Sequence, residues 1–328
     1  CEADPELQAE PAGSCIDGSC VEERDPDPSH GGFTFVTVGD HGAHGPTDAV
    51  LDLAPASGRF LLSLGDLSYG VITPEQAWCD YVREHIGADF PFLVVAGNHE
   101  DDGTHGALID DFIAPGCLPA PLPVTGDYAK QYWFDSPPAA PLVRFILISP
   151  GLAYADGGRF AYPRHSRRYQ WTARTIDEAR AAGIPWVIVG MHTDCITAGR
   201  YGCETGSDIL ELLVARRVDL ILQGHEHNYQ RSHQLTCATP DRFDPNCIIE
   251  APDGGTYAQG AGSVLAIVGT GGRDSYALAL DDPEAGYFAA LADGVYGLLQ
   301  VRVTADRLDA EFLSADGAPY SDRFRITR

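Results

Sequence analysis

Seven side chains able to bind a metal ion sit just past apolar runs of the chain: Asp40, Asp66, Tyr69, Asn98, His192, His225 and His227. Residues 33–38 run into Gly39-Asp40. Residues 60–64 run into Gly65-Asp66, with Tyr69 three residues on. Residues 91–96 end at Gly97-Asn98, and residues 184–189 at Gly190-Met191-His192. Residues 218–223 lead into Gly224-His225-Glu226-His227-Asn228-Tyr229. On extended backbone two histidines two residues apart point the same way. Imidazoles so placed are ready metal ligands. Taken singly, each of these residues reads as a turn or cap residue. Five strand ends of one kind predict a common purpose. One ion takes about four to six ligands, so seven donors predict two ions with one bridging residue. A carboxylate bridges best, and Asp66, followed three residues later by Tyr69, is the choice.

The elements that must carry these residues follow an α/β order. In an open α/β sheet the carboxyl ends of the strands line the ligand crevice. Besides the five runs above, strands are expected at 128–134, 142–149 and 263–268, the last followed by Gly269-Thr270-Gly271-Gly272. Helices are expected at 46–56, from Thr73 to 86 with a Thr-Pro-Glu-Gln capping box, at 166–182, and from Thr205 or Ser207 to 217. Residues 100–127, rich in Pro, Gly and Asp, read as an excursion over the active face. The end reads as a meander of strands at 296–303, 307–314 and 322–327, with a turn at Asp316-Gly317. Alternating elements followed by strands predict one α/β sandwich. The expected organisation is an acidic flexible tether over 1–32 and a single catalytic domain over 33–328.

Charge narrows the function classes. The 328 residues hold 22 basic and 47 acidic side chains, a net charge of −25. That excludes a general nucleic-acid binder, which needs a basic surface, and electrostatic adhesion to anionic lipid. An anionic substrate then needs local positive charge, which metal ions supply. Lysine occurs once, at Lys130, and arginine is plentiful; Asn98, Asn228 and Asn246 head no glycosylation sequon. This composition points to a bacterium with a GC-rich genome. No apolar run reaches the ~18 residues of a membrane span.

The nine cysteines show no Cys-X-X-Cys zinc spacing. Eight fall into the expected pairs Cys15–Cys20, Cys79–Cys117, Cys195–Cys203 and Cys237–Cys247, which implies an oxidising compartment. Cys1 either carries lipid, as the first residue of a bacterial lipoprotein does, or pairs with Cys15 or Cys20. The expected location is extracytoplasmic: secreted, periplasmic or tethered to the cell surface through Cys1.

Taken together, Asp40-His41-Gly42, Gly65-Asp66-Leu67-Ser68-Tyr69, Gly97-Asn98-His99-Glu100, the His192 segment and Gly224-His225-Glu226-His227 resemble the five blocks of purple acid phosphatases. These are a branch of the calcineurin-like metallophosphoesterase superfamily. The superfamily at large carries Asp-X-His in its first block. Here residue 42 is Gly, and Tyr69 stands where the purple branch places a substituting tyrosine. The resemblance runs from about residue 33 to the end and leaves no room for the N-terminal β-domain of large plant-type members. It implies a fold of two mixed sheets flanked by helices. It implies one site of Asp40, Asp66, Tyr69 and His227 suited to ferric iron, with visible absorption from the phenolate. A second site of Asp66, Asn98, His192 and His225 suits divalent iron, zinc or manganese.

The expected activity is hydrolysis of small phosphate monoesters. Two cations would clamp phosphate oxygens and acidify the attacking water. His99 would protonate the leaving group or bind a phosphate oxygen, with Glu100 orienting it. The alternatives are a phosphodiesterase acting on nucleotides or lipid head groups, and a non-catalytic metal-binding surface lipoprotein. The chain departs from the family after His192, where Thr193-Asp194-Cys195 stand in place of a second histidine. A Cys195–Cys203 loop is expected to shape the pocket, and His41 or His44 to supply the missing imidazole.

Overall fold

A computed structural model describes residues 31–155, 158–315 and 317–328, with the backbone of Cys15–Ile16 and Ser19–Cys20. Cys1, the remainder of the expected tether and the sulfur pairing of Cys15 with Cys20 lie outside the described residues. So does Asp316 of the expected turn.

Two large mixed sheets face each other, and helices cover their outer sides. The seven-stranded sheet is ordered Thr256–Ala258, Arg323–Thr327, Arg307–Ser314, Gly297–Val303, Phe33–Val38, Leu61–Ser63, Phe92–Val94. The eight-stranded sheet is ordered Phe288–Ala292, Tyr229–Ser232, Val264–Val268, Leu220–Gln223, Trp186–Gly190, Val143–Ile148, Gln131–Ser136, Thr125–Asp127. Period-two alternation appears where one face meets water: Leu308, Ala310 and Phe312 are buried along Arg307–Ser314, and their neighbours are not. Central strands such as Trp186–Gly190 are buried along their whole length, as expected of strands covered on both faces.

Aromatic rings join the sheets. Phe35 meets Phe145 edge-on at 5.0 Å, and Phe134 stacks on Phe145 at 4.8 Å. Each buried phenylalanine contributes about 1.5–3 kcal/mol by leaving water. This core fixes how the carboxyl ends of the two sheets meet. Phe33–Val38, Leu61–Ser63 and Phe92–Val94 are mutually parallel and deliver Asp40, Asp66 and Asn98 from one sheet. Trp186–Gly190 and Leu220–Gln223 are parallel and deliver His192, His225 and His227 from the other.

The second helix needs correction. It spans Glu75–Ile86, with Pro74 rather than Thr73 at its N-cap and no side-chain cap. It therefore begins too late for the capping box. Its buried face is Trp78, Cys79, Val82 and Ile86. The structure also adds a strand that hydropathy does not announce. Tyr229–Ser232 is polar, yet it is fully buried. Specific partners replace hydrophobicity there: Arg231 makes two bonds to Asp322, at 2.7 and 2.9 Å, and Gln230 donates to Thr197 and Asn228.

Candidate metal centre

The seven donors converge. Asp40, Asp66, Tyr69 and His225 all take left-handed backbone, with φ of 63°, 53°, 52° and 68°. That conformation is costly for a non-glycine residue, most of all a bulky one such as tyrosine, and such residues concentrate at functional sites. The turns run alongside one another: the Asp40, His41 and Gly42 N–H groups donate to the carbonyls of Gly65, Asp66 and Leu67 at 3.0, 2.9 and 2.7 Å.

Glycine precedes most of the donors for a steric reason. A Cβ on Gly97 would lie 2.1 Å from Asp66 Oδ1, and one on Gly224 would lie 2.9 Å from Asp40 Oδ2. The bare backbone lets neighbouring turns close on the carboxylates.

Tyr69 Oη is 3.0 Å from Asp40 Oδ1 and 3.0 Å from His227 Nε2. His227 Nε2 is 3.5 Å from the same Asp40 oxygen. On the other side, His192 Nε2 lies 3.0 Å from Asn98 Oδ1, 3.3 Å from Asp66 Oδ1 and 3.2 Å from His225 Nδ1. Two groups, Asp40-Asp66-His227 and Asp66-His192-His225, each gather their ligand atoms within 4.8 Å and could each hold a metal ion. Asp66 belongs to both. The outward nitrogens of two histidines are set from behind. His192 Nδ1 and His227 Nδ1 lie 2.8 Å from the carbonyls of Leu64 and Asp274, so each donates outward and keeps Nε2 free for the site.

The electrostatics call for a cation. Asp40 and Asp66 are buried together in the same small space. Burial works against ionisation of Asp66, but the imidazoles of His192 and His99 outweigh it and hold the carboxyl well below its usual range. Burial pulls His192 down, and the carboxylates of Asp66, Asp40 and Glu100 overcome it and push its pKa up to about 10. Burial and the same two aspartates push the Tyr69 phenol well above its ordinary value. Without metal, protons neutralise this cluster; a multivalent cation would replace them and reverse the phenol's preference. Hard oxygens with one imidazole on one side, and imidazoles with an amide on the other, fit a harder and a softer ion.

His41 and Glu100 differ from expectation. His41 is wholly buried, bonded at 2.9 Å to Ser63 Oγ and packed against Trp78 and Phe92. It faces the core and supplies no imidazole to the pocket. His44 stands at the start of the first helix, 3.4 Å from an Arg273 nitrogen. Glu100 does not orient His99: its carboxylate turns inward and accepts the Leu67 N–H at 3.0 Å. His99 instead packs against Tyr69 and His105 in tilted contacts, with ring centres 4.2 and 4.3 Å away. Its backbone N–H donates to Asp66 Oδ1 at 3.0 Å.

The structure adds residues that sequence reading missed. His105 comes from the 100–127 excursion. Arg273 lies over the Tyr69 ring at 4.8 Å. Tyr276 stacks on His227 at 3.9 Å and Tyr201 on His225 at 4.1 Å. Arg273 and Tyr276 follow Gly269-Thr270-Gly271-Gly272, a sixth strand end with the same glycine signature. Cys79–Cys117, Cys195–Cys203 and Cys237–Cys247 are disulfides, and the second ties down the loop carrying Tyr201.

A profile of the calcineurin-like phosphoesterases matches residues 33–229. The chain belongs to that family. Within this phosphoesterase family it is purple acid phosphatase-like. It is 26% identical over 246 residues to a purple acid phosphatase of Glycine max, covering 68% of this chain and 51% of that one. It is 29% identical over 222 residues to an uncharacterized protein of Mycobacterium tuberculosis, covering 62% of this chain and 40% of that one. The structure of a purple acid phosphatase from yellow lupin seeds shares its fold, with a TM-score of 0.65 at 17% identity over 90% of this chain and 54% of that one. This phosphoesterase chain thus spans about half the length of these relatives.

Proposed function

We propose that this phosphoesterase is a dinuclear-metal phosphomonoesterase of the purple acid phosphatase type. The observation that carries the proposal is the Tyr69 hydroxyl, 3.0 Å from both Asp40 and His227 at one end of a cluster bridged by Asp66. Asp40, Asp66, Tyr69 and His227 would hold ferric iron, and Asp66, Asn98, His192 and His225 a divalent iron, zinc or manganese ion. When bound, such a pair supplies charge to clamp phosphate oxygens and a water acidic enough to attack phosphorus.

The chain's own residues do the rest. His99, partly exposed beside the cluster with Nε2 3.8 Å from Asp66 Oδ2, would protonate the leaving oxygen from its ring. Its tilted contacts with the Tyr69 and His105 rings restrict how the imidazole can turn. The guanidinium of Arg273 adds positive charge at the rim of a very acidic protein. The disulfides favour an extracytoplasmic site of action, and no helix of the described residues is long and apolar enough to cross a membrane. Residues 33–328 would form the catalytic domain and 1–32 its tether, with small phosphate esters as substrate.

Hydrolysis of p-nitrophenyl phosphate compared with bis(p-nitrophenyl) phosphate tests the assignment. Faster turnover of the monoester is expected. Preferential cleavage of the diester would replace this reading with the phosphodiesterase one.

A further inference from the structure

Each imidazole at the centre has one ring nitrogen facing the site and one facing away. For His192 and His227 the outward nitrogen has a backbone carbonyl as its acceptor, at 2.8 Å in both cases. His225 breaks this rule. Its Nδ1 is the inward atom, 3.2 Å from His192 Nε2. Its Nε2 is buried and has no hydrogen-bond partner among the described residues. The group that approaches it is Glu204, whose Oε2 lies 3.3 Å away.

The surroundings hold this pair in place. Tyr201 covers the His225 ring at 4.1 Å, nearly parallel to it. Cys203, next to Glu204, is bonded to Cys195 three residues after His192. The N–H groups of Glu204 and Thr205 both donate to the Asp194 carbonyl, at 2.9 and 3.2 Å. The Glu204 carbonyl packs so close to Gly151 that a Cβ there would come within 2.7 Å of it. The backbone at Glu204 is therefore fixed, while its side chain, 45% exposed, can adjust by tenths of an ångström.

A neutral imidazole has one N–H. To present a lone pair on Nδ1 to an ion, His225 must carry its proton on Nε2, and a buried N–H needs an acceptor. Tyr201 offers only its ring face. Resting on the metal-centre reading above, we propose that Glu204 is a positioning residue for the ion bound by His225. It accepts the Nε2–H, selects the tautomer with Nδ1 free, and strengthens that nitrogen as a donor.

The test is Zn(II) binding to the full chain by chelator competition, for wild type, Glu204→Ala and Glu204→Gln. Far-UV circular dichroism serves as the folding control. Glu204→Ala is expected to weaken one of the two ions by about 10–100-fold and leave the other unchanged. Glu204→Gln, whose amide oxygen still accepts, is expected to recover most of the loss. Wild-type affinity for both ions in Glu204→Ala would overturn the proposal, as would a glutamine variant no better than the alanine one. A wild-type chain that binds no pair of ions would overturn the metal-centre reading along with it.

Discussion

Replacing the buried His41 by glutamine should remove a specific pH dependence from stability. His41 is fully buried, and the hydrogen bond of its ring is to Ser63 Oγ at 2.9 Å. Burial depresses its pKa from 6.5 to about 4, against the opposing pull of Asp40 and Asp66. The folded protein therefore keeps His41 neutral at a pH where the unfolded chain protonates it. Its contribution is complete above about pH 6.5 and is lost as pH falls toward about 4. The displacement is worth on the order of 3 kcal/mol, with a slope of at most about 1.4 kcal/mol per pH unit. A glutamine at this position would be neutral throughout and can still reach Ser63. Urea unfolding of metal-free wild type and His41→Gln, from about pH 7.5 to about 4, isolates the effect. The stability of the wild type relative to the variant should fall by on the order of 3 kcal/mol over that range. Parallel stability curves would refute the reasoning, because His41 would then titrate alike in both states.

Gly97→Ala should empty both metal positions, since its Cβ would stand 2.1 Å from Asp66 Oδ1. A cost of about 1–3 kcal/mol in stability should accompany it. Elemental analysis showing a full metal complement would contradict this. Replacing Cys79 and Cys117 together by alanine opens a link across 38 residues, and should lower stability by about 4 kcal/mol. An unchanged denaturation midpoint would argue against it. His99→Ala should keep its metals and lose about 10²–10⁴-fold in kcat on p-nitrophenyl phosphate. Activity near that of the wild type would remove His99 as the acid.

Much of the centre was legible in the chain because strand ends announce themselves. Asp40, Asp66, Asn98, His192 and His225 each follow an apolar run and a glycine, and that local signature is what places them at the carboxyl edges of two sheets. What the sequence cannot carry is the direction of a side chain within a turn. His41 adjoins Asp40, yet it points into the core and bonds Ser63, while Asp40 on left-handed backbone faces the site. Glu100, two residues after Asn98, likewise turns inward, where its carboxylate accepts the Leu67 N–H. His105 and Glu204 could not be found, since each reaches the site from a loop whose path depends on distant contacts: the ring of His99 for one, the Cys195–Cys203 disulfide and the Asp194 carbonyl for the other. Tyr229–Ser232 escapes a sequence reading because its burial rests on paired charges and amides, which leave no hydropathy signal.

The phosphatase reading stands on a mixed-metal centre with Tyr69 as a ligand. Metal analysis combined with the visible spectrum, for wild type and Tyr69→Phe, tests it most directly. Two ions per chain are expected, one of them iron, with a visible band that Tyr69→Phe abolishes. A colourless chain holding two zinc ions, with an identical spectrum after Tyr69→Phe, would contradict it.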